Sequence, residues 1–135
     1  MSAGYLLDTS ILLETLRPKP AAAVMSWMES VDQDTFYISA ITVGELMAAL
    51  EGMGDANRRT ELMRWVLTDM QAWFRGHILT LTPEVATFWG SIAPKLGNIN
   101  AVTGLQAAFA LKHNLEFVTR EPVSIPHLTL INPWK

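Results

Sequence analysis

Three acidic side chains stand where predicted strands end, and this placement points to metal chemistry. Asp8 closes the first apolar run, Glu45 lies in the first turn of the helix after the second, and Glu121 follows the fourth. Because the carboxyl ends of parallel strands meet at one edge of a sheet, these carboxylates can converge there. Clustered carboxylates need a cation, and their oxygens suit Mg²⁺ or Mn²⁺. Such a site activates water for attack on a phosphodiester, and the hydroxyl of Ser10 would orient that water.

Each acid taken alone also has a purely structural interpretation. Asp8 can cap the helix that begins directly after it. Glu45 completes the capping-box pattern threonine-x-x-glutamate with Thr42. Glu121 can be an exposed loop acid. The spacing of any single acid therefore decides nothing, and the metal interpretation depends on all three meeting at the strand ends.

Short apolar runs alternate with amphipathic segments along the chain. The runs typical of strands are residues 5–8, 36–39, 78–81, 116–119 and 128–132. The helical patterns cover residues 10–16, 21–31, 42–52, 57–74, 83–96 and 103–113. The strand runs are apolar on both faces, which is typical of strands covered by helices on each side. The alternation predicts a three-layer α/β sandwich, with a central parallel sheet of four to five strands and helices on both faces, in a single domain over residues 1–135.

The predicted helix over residues 57–74 carries a stripe of large apolar side chains. They are Leu62, Trp65, Val66, Met70, Trp73 and Phe74. A stripe at this spacing is typical of a helix that faces the core. The alternative is that the helix projects and a second chain covers the stripe, since five tryptophans and seven methionines are many for a chain of 135 residues.

Composition excludes several classes of protein. Half of the residues are hydrophobic and 17% are charged, which is typical of a globular chain. The absence of cysteine excludes disulfides and thiolate metal sites, and the net charge of -3 argues against a broad surface that coats nucleic acid. The first residues lack the features of a signal peptide, and no apolar run approaches the roughly 20 residues of a membrane span. We therefore expect a cytoplasmic protein with no membrane partner.

The order of short motifs along the chain resembles the PIN-domain nucleases, and among them the VapC-type toxins of bacterial toxin–antitoxin pairs. The resemblance covers nearly the whole chain. It is carried by residues 6–10, Arg17-Pro18, Trp27, residues 37–46, 74–79, 107–110 and 118–120, and the closing Asn132-Pro133-Trp134. It implies a parallel sheet between helices, metal-dependent cleavage of RNA, a cognate antitoxin that wraps and silences the toxin, and a homodimer.

The resemblance also assigns roles to single residues. Asp8 and Glu45 match the first two metal-binding acids of the family, and Glu121 matches its fourth polar or acidic position. Thr103 stands where the family has its third acid, and Ser124 stands where a further aspartate is often found. Because ligand charge governs the affinity for hard cations, the resemblance implies that Mg²⁺ or Mn²⁺ is bound weakly and RNA is cleaved poorly or not at all.

The loss of the third acid leaves the local fold intact in this interpretation. Thr103 and Gln106 form a capping-box pattern, which predicts that the helix over residues 103–113 begins at Thr103.

Two arginines near the acidic edge are candidates for binding the RNA backbone. Arg120 directly precedes Glu121, and Arg17 follows the first predicted helix. Both are equally well explained as exposed surface charges.

Three classes of function fit these residues to different degrees. The first is a Mg²⁺-dependent endoribonuclease, which the retained Asp8 and Glu45 favour. The second is a catalytically inactive PIN-like binding module that engages an antitoxin or RNA, which Thr103 favours. The third is aspartyl-phosphate chemistry, which is disfavoured because phosphatases of that type need a second aspartate two residues after the first, where this chain has Ser10.

Overall fold

Five short strands form one parallel sheet in the computed structural model, which describes residues 2–135. They are β1 (Gly4–Leu7), β2 (Phe36–Ser39), β3 (Ile78–Leu79), β4 (Leu115–Val118) and β5 (Leu130–Ile131). Their spatial order is β3-β2-β1-β4-β5, and every neighbouring pair runs parallel. The five predicted strands are therefore confirmed, although β3 and β5 are shorter than the sequence pattern predicts.

Helices occupy the connections between the strands. They are α1 (Thr9–Thr15), α2 (Ala22–Ser30), α3 (Ala40–Glu51), α4 (Ala56–Trp65), α5 (Gln71–Trp73), α6 (Pro83–Ile92) and α7 (Ala101–Lys112). A π-helical turn over Val66–Met70 joins α4 to α5, so the predicted helix over residues 57–74 is one continuous helical segment. In the described part of the chain, every helix is too short or too polar to span a bilayer.

Most of the buried apolar side chains form two clusters, one on each face of the sheet. Adjacent residues of β1 point to opposite faces, so Leu6 belongs to one cluster and Leu7 to the other. The Leu7 cluster packs under α1 to α4, and the Leu6 cluster packs under α6 and α7. Helices therefore cover both faces, which confirms the predicted three-layer architecture.

The stripe on the segment from α4 to α5 mostly faces the core. Leu62, Val66, Met70 and Phe74 are buried. Trp73 differs, because it is 53% exposed and borders an apolar groove of about 370 Å³ between this segment and α1. The prediction that the stripe faces the core is confirmed for the four buried residues. For Trp73, at the end of the stripe, coverage by a second chain stays a prediction.

The strand order places a topological switch point beside the central strand. From β1 the chain proceeds to β2 on one side, and it later returns to β4 on the other side. In open α/β sheets, the crevice outside the carboxyl ends of the strands at such a point is where ligands bind. The ends of β1 and β4 are joined there, since the backbone N–H of Asp8 donates to the carbonyl of Val118 at 2.9 Å.

Candidate active site

A pocket of about 320 Å³ lies at this switch point. Its lining residues are Asp8, Thr9, Ser10, Leu13, Glu45, Asn100, Val102, Thr103 and Glu121. The structure thus brings together five residues that the sequence singles out: Asp8, Ser10, Glu45, Thr103 and Glu121. Arg17, Arg120 and Ser124 do not line the pocket. Asn100 does, and the sequence analysis did not identify it.

Asp8 is both the cap of α1 and a polar wall of the pocket. Its Oδ1 accepts from the backbone N–H of Thr9 at 2.9 Å, and its Oδ2 accepts from the hydroxyls of Thr119 at 2.7 Å and Ser10 at 3.3 Å. A carboxylate has about four acceptor positions, so these bonds fix its orientation and leave one position on Oδ1. Asp8 does cap α1, as one interpretation of the sequence predicts. Its carboxylate still has an acceptor position for a further ligand.

Glu45 does not belong to a capping box, and that interpretation is wrong. Helix α3 begins at Ala40 and not at Thr42, because the hydroxyl of Ser39 caps it by accepting from the backbone N–H of Thr42 at 3.3 Å. Glu45 therefore lies a full turn inside the helix. Its Oε1 accepts from the hydroxyl of Thr9 at 2.6 Å, so the carboxylate is turned towards the end of β1.

A buried chain of hydrogen bonds holds Glu45 in this orientation. Ser39 donates to the side-chain oxygen of Gln106 at 2.8 Å, and the Gln106 amide donates to the hydroxyl of Thr42 at 2.8 Å. The hydroxyls of Thr42 and Thr9 are 3.2 Å apart. Since each hydroxyl has one proton and Thr9 uses its own for Glu45, Thr42 donates to Thr9 and the whole chain runs in one direction. The carboxylate of Glu45 is its final acceptor.

Thr103 is not the helix cap that the sequence predicts. Helix α7 begins at Ala101, because the side-chain oxygen of Asn100 accepts from the backbone N–H of Val102 at 2.8 Å. Gln106 is fully buried in the chain of hydrogen bonds described above, so it is not available for a capping box. Thr103 is instead the third residue of α7, half-buried, with its side chain among those that line the pocket.

Glu121 stands at the outer rim of the pocket. It is exposed, and its backbone N–H donates to the hydroxyl of Thr119 at 3.1 Å. The same Thr119 hydroxyl donates to Asp8, so one buried threonine contacts the carboxylate of Asp8 and the backbone of Glu121.

The oxygen atoms of this pocket suit a hard divalent cation. Within residues 2–135, no three side chains of histidine, cysteine, aspartate or glutamate are grouped closely enough to hold a metal ion by themselves. Mg²⁺ does not require such a group, because it usually binds through one or two carboxylates and keeps several waters. Asp8 and Glu45, each fixed by hydrogen bonds, fit this mode of binding, and Glu121 is the third acid within the same pocket.

Similarity to known proteins shows the family of this chain. The sequence matches the PIN domain over residues 5–123. This chain belongs to the PIN domain family. It is 33% identical to Toxin FitB of Neisseria gonorrhoeae, with 96% of this chain and 97% of that protein covered. It is also 28% identical to VapC ribonuclease Y4jK of Sinorhizobium fredii, with 96% of each covered.

Solved structures agree with the sequence comparison. The crystal structure of FitAcB from Neisseria gonorrhoeae superposes with a TM-score of 0.87 at 30% identity, over 96% of this chain and 98% of that one. The structure of FitAB bound to an IR36 DNA fragment superposes with a TM-score of 0.86 at 31% identity, over 97% of this chain and 96% of that one. The five-stranded sheet with helices on both faces is therefore a PIN fold, as the resemblance implied.

Outside the pocket, this PIN domain has a buried carboxylate that the sequence analysis missed. Glu14 is only 3% exposed on α1. Its Oε2 accepts from the backbone N–H of Ala21 at 2.8 Å, and its Oε1 pairs with Arg17 at 3.2 Å. The side chain of Trp134 makes a smaller contribution to the stabilisation of the charged form. The hydrogen bond from Ala21 is the main cause that lowers the pKa of Glu14, against the opposing effect of burial. No pattern within the helix predicts this, because all of these partners lie outside α1.

The lowered pKa of Glu14 predicts acid-dependent stability. The ionised form is favoured in the folded state, so its contribution is fully present above about pH 4.5, the ordinary value, and disappears as the pH falls through the lower folded value. We expect Glu14→Gln to lower the free energy of unfolding by about 1–2 kcal/mol at neutral pH, and by less as the pH drops below about 4.5. Urea titrations across this pH range measure both. Glu29→Gln, at an exposed glutamate of α2, is the matched control. If the loss of unfolding free energy in Glu14→Gln is as large in acid as at neutral pH, the lowered pKa of Glu14 is contradicted.

Proposed function

We propose that this chain is a VapC-like toxin with Mg²⁺- or Mn²⁺-dependent endoribonuclease activity. The observation that carries the proposal is the meeting of Asp8, Glu45, Glu121 and Ser10 in one pocket at the switch point of a PIN fold. The name of a relative, VapC ribonuclease Y4jK, supports the reaction class. The acids alone would support any metal-dependent phosphodiester chemistry, and the relative directs the proposal to RNA.

The residues of the pocket divide the chemical tasks among them. Asp8 and Glu45 would hold the cation, with Glu121 at the rim as a further oxygen ligand. A bound divalent cation would supply activated water and stabilise charge on the phosphodiester. Ser10 gives its proton to Asp8, so its lone pairs remain to accept from a water and orient it. Thr9 holds the carboxylate of Glu45, and Thr119 holds the carboxylate of Asp8, in the orientation in which they would bind the cation.

The partners follow from the same comparison. The neighbouring structures are described as a toxin–antitoxin complex from Klebsiella pneumoniae and as a VapBC complex of Rickettsia felis bound to a fragment of promoter DNA, and these relatives share the fold at 18% and 19% identity. We propose that this chain likewise pairs with a cognate antitoxin, and that it acts as a homodimer in the cytoplasm.

Cleavage of RNA by purified, antitoxin-free protein tests the proposed activity. We expect the unmodified protein to cleave RNA in Mg²⁺ or Mn²⁺ and not in EDTA. We expect the Asp8→Asn variant not to cleave RNA in either metal. Asparagine is a matched replacement because it also caps helices and keeps the oxygen that accepts from Thr9, so the change removes the charge and not the cap. Cleavage that persists in EDTA or in Asp8→Asn would rule out the proposed site.

One observation favours a second candidate function, an inactive PIN-like binding module. Thr103 contributes no charge to the pocket, where the family resemblance implies a third acid. A folded protein that binds RNA or antitoxin and never cleaves in either metal would establish this alternative.

A further inference from the structure

Arg17 and Arg120, the two arginines that the sequence singles out, each contact a residue that the sequence did not connect with them. Arg17 contacts Glu14, and Arg120 contacts Trp134. Arg17 pairs with Glu14 at 3.2 Å, and the side chain of Trp134 contributes to the lowered pKa of Glu14. The guanidinium of Arg120 lies over the Trp134 ring, with its central carbon 4.3 Å from the ring centroid. We call these four residues, Arg17, Glu14, Trp134 and Arg120, the C-terminal clasp. They come from α1, the loop after it, the loop after β4 and the end of the chain.

The position of Trp134 is fixed independently of the arginines. Its backbone N–H donates to the side-chain oxygen of Asn132 at 3.0 Å, directly after β5. Its ring is half-buried against the core cluster that lies under α1. Trp134 is therefore a rigid platform for Arg120.

The charges of the clasp are unequal. Glu14 offsets the charge of Arg17, which uses one end of its guanidinium for this bond and is otherwise exposed. Arg120 is exposed, and no carboxylate within residues 2–135 lies within ion-pairing distance of it. A guanidinium stacked on an aromatic ring keeps the donors at its edge available. The clasp thus presents an uncompensated cation with a fixed orientation.

This cation directly precedes, along the chain, a residue that lines the acidic pocket. Arg120 lies in sequence between Thr119, which donates to Asp8, and Glu121, which lines the pocket. An acidic pocket repels a polyanion, so a cation at its margin has a direct use in holding the strand.

We propose that the C-terminal clasp binds a phosphate of the RNA strand next to the pocket. Arg120 contacts the phosphate, and Trp134 is a positioning residue that acts through it. Arginine suits this task because its planar guanidinium can donate two parallel hydrogen bonds to phosphate oxygens. The identity of the ligand as RNA rests on the proposed function.

Binding of a fluorescently labelled single-stranded RNA in EDTA tests the clasp without any cleavage. We expect Arg120→Ala and Trp134→Ala each to weaken binding about 10-fold, which corresponds to one lost charge-assisted contact. Trp134→Phe keeps an aromatic surface and should retain most of the affinity. Arg64→Ala, at an exposed arginine of α4, is the matched control and should bind like the unmodified protein.

The salt dependence of binding separates positioning from a general loss of structure. Each phosphate contact contributes about 0.7 to the slope of log affinity against log salt for single strands, so Arg120→Ala and Trp134→Ala should both reduce the slope by about this amount. The double variant should lose no more than Arg120→Ala alone, because Trp134 acts through Arg120. Additive losses, or an unchanged slope in Trp134→Ala, would overturn the positioning role.

The outcomes for the clasp and for the enzyme are distinguishable. Cleavage with wild-type RNA affinity in Arg120→Ala would overturn the clasp and leave the proposed activity standing. Loss of affinity in the clasp variants without any cleavage by the unmodified protein would support the clasp and overturn the ribonuclease.

Discussion

Thr103→Asp is expected to raise the affinity for Mg²⁺ by about 10- to 100-fold, and the rate of RNA cleavage with it. Thr103 lines the same pocket as Asp8 and Glu45, so an acid at this position adds a third anionic oxygen group to theirs. The third position of a helix also favours a negative charge, because it lies near the positive end of the helix dipole. Calorimetric titration with Mg²⁺ and initial rates of cleavage measure the two effects.

Thr103→Asn is the control for this experiment. Asparagine has nearly the shape of aspartate and lacks its charge, so it should leave the Mg²⁺ affinity close to that of the unmodified protein. Equal affinities for Thr103→Asp and the unmodified protein would show that the pocket does not bind the cation in the proposed place. Equal gains in both variants would show that shape, and not charge, limits binding.

The meeting of the acids at the carboxyl ends of the strands could be predicted from the sequence, because the strands themselves follow from local patterns. Each strand is a short apolar run, and Asp8 directly follows one of them. Once the strands are taken as parallel, their carboxyl ends must meet, so acids distant in sequence can be assigned to one place. The pocket that holds Asp8, Glu45 and Glu121 is the result.

The helix starts around this pocket could not be predicted in the same way. Thr42 with Glu45 and Thr103 with Gln106 both have the spacing of a capping box, and the structure uses neither pair for capping. Ser39 and Asn100 cap these helices instead. Thr42 and Gln106 bond to each other across the fold, and a local pattern contains no information about a partner more than sixty positions away.

Arg17 and Arg120 show the same limit. Each could be recognised as a basic residue near the acidic edge, whereas their connection depends on Glu14 and Trp134, which are separated by almost the whole chain. A buried glutamate in an amphipathic helix has no local signature, because its neighbours in sequence do not reveal which backbone N–H will reach it.

The buried chain of hydrogen bonds predicts a large loss of stability for Gln106→Leu. The substitution keeps the approximate volume and removes both polar groups, so Ser39 loses its acceptor and Thr42 loses a donor in an interior where all three residues are fully buried. Each unsatisfied buried group costs about 1–3 kcal/mol, so we expect the free energy of unfolding to fall by about 2–4 kcal/mol. Urea titration measures it, with Gln33→Leu at an exposed glutamine as the matched control.

The effect of Gln106→Leu should extend to Glu45, because the chain runs in one direction and ends on that carboxylate. Without the amide of Gln106, the hydroxyl of Thr42 is no longer held in place to donate to Thr9, and Thr9 is the residue that fixes Glu45. Mg²⁺ affinity should therefore fall in Gln106→Leu under conditions where the protein remains folded, and Thr42→Val should cause a loss that does not add to it. Independent, additive losses would mean that Glu45 is held by the Thr9 hydroxyl alone and that the rest of the chain serves only the core.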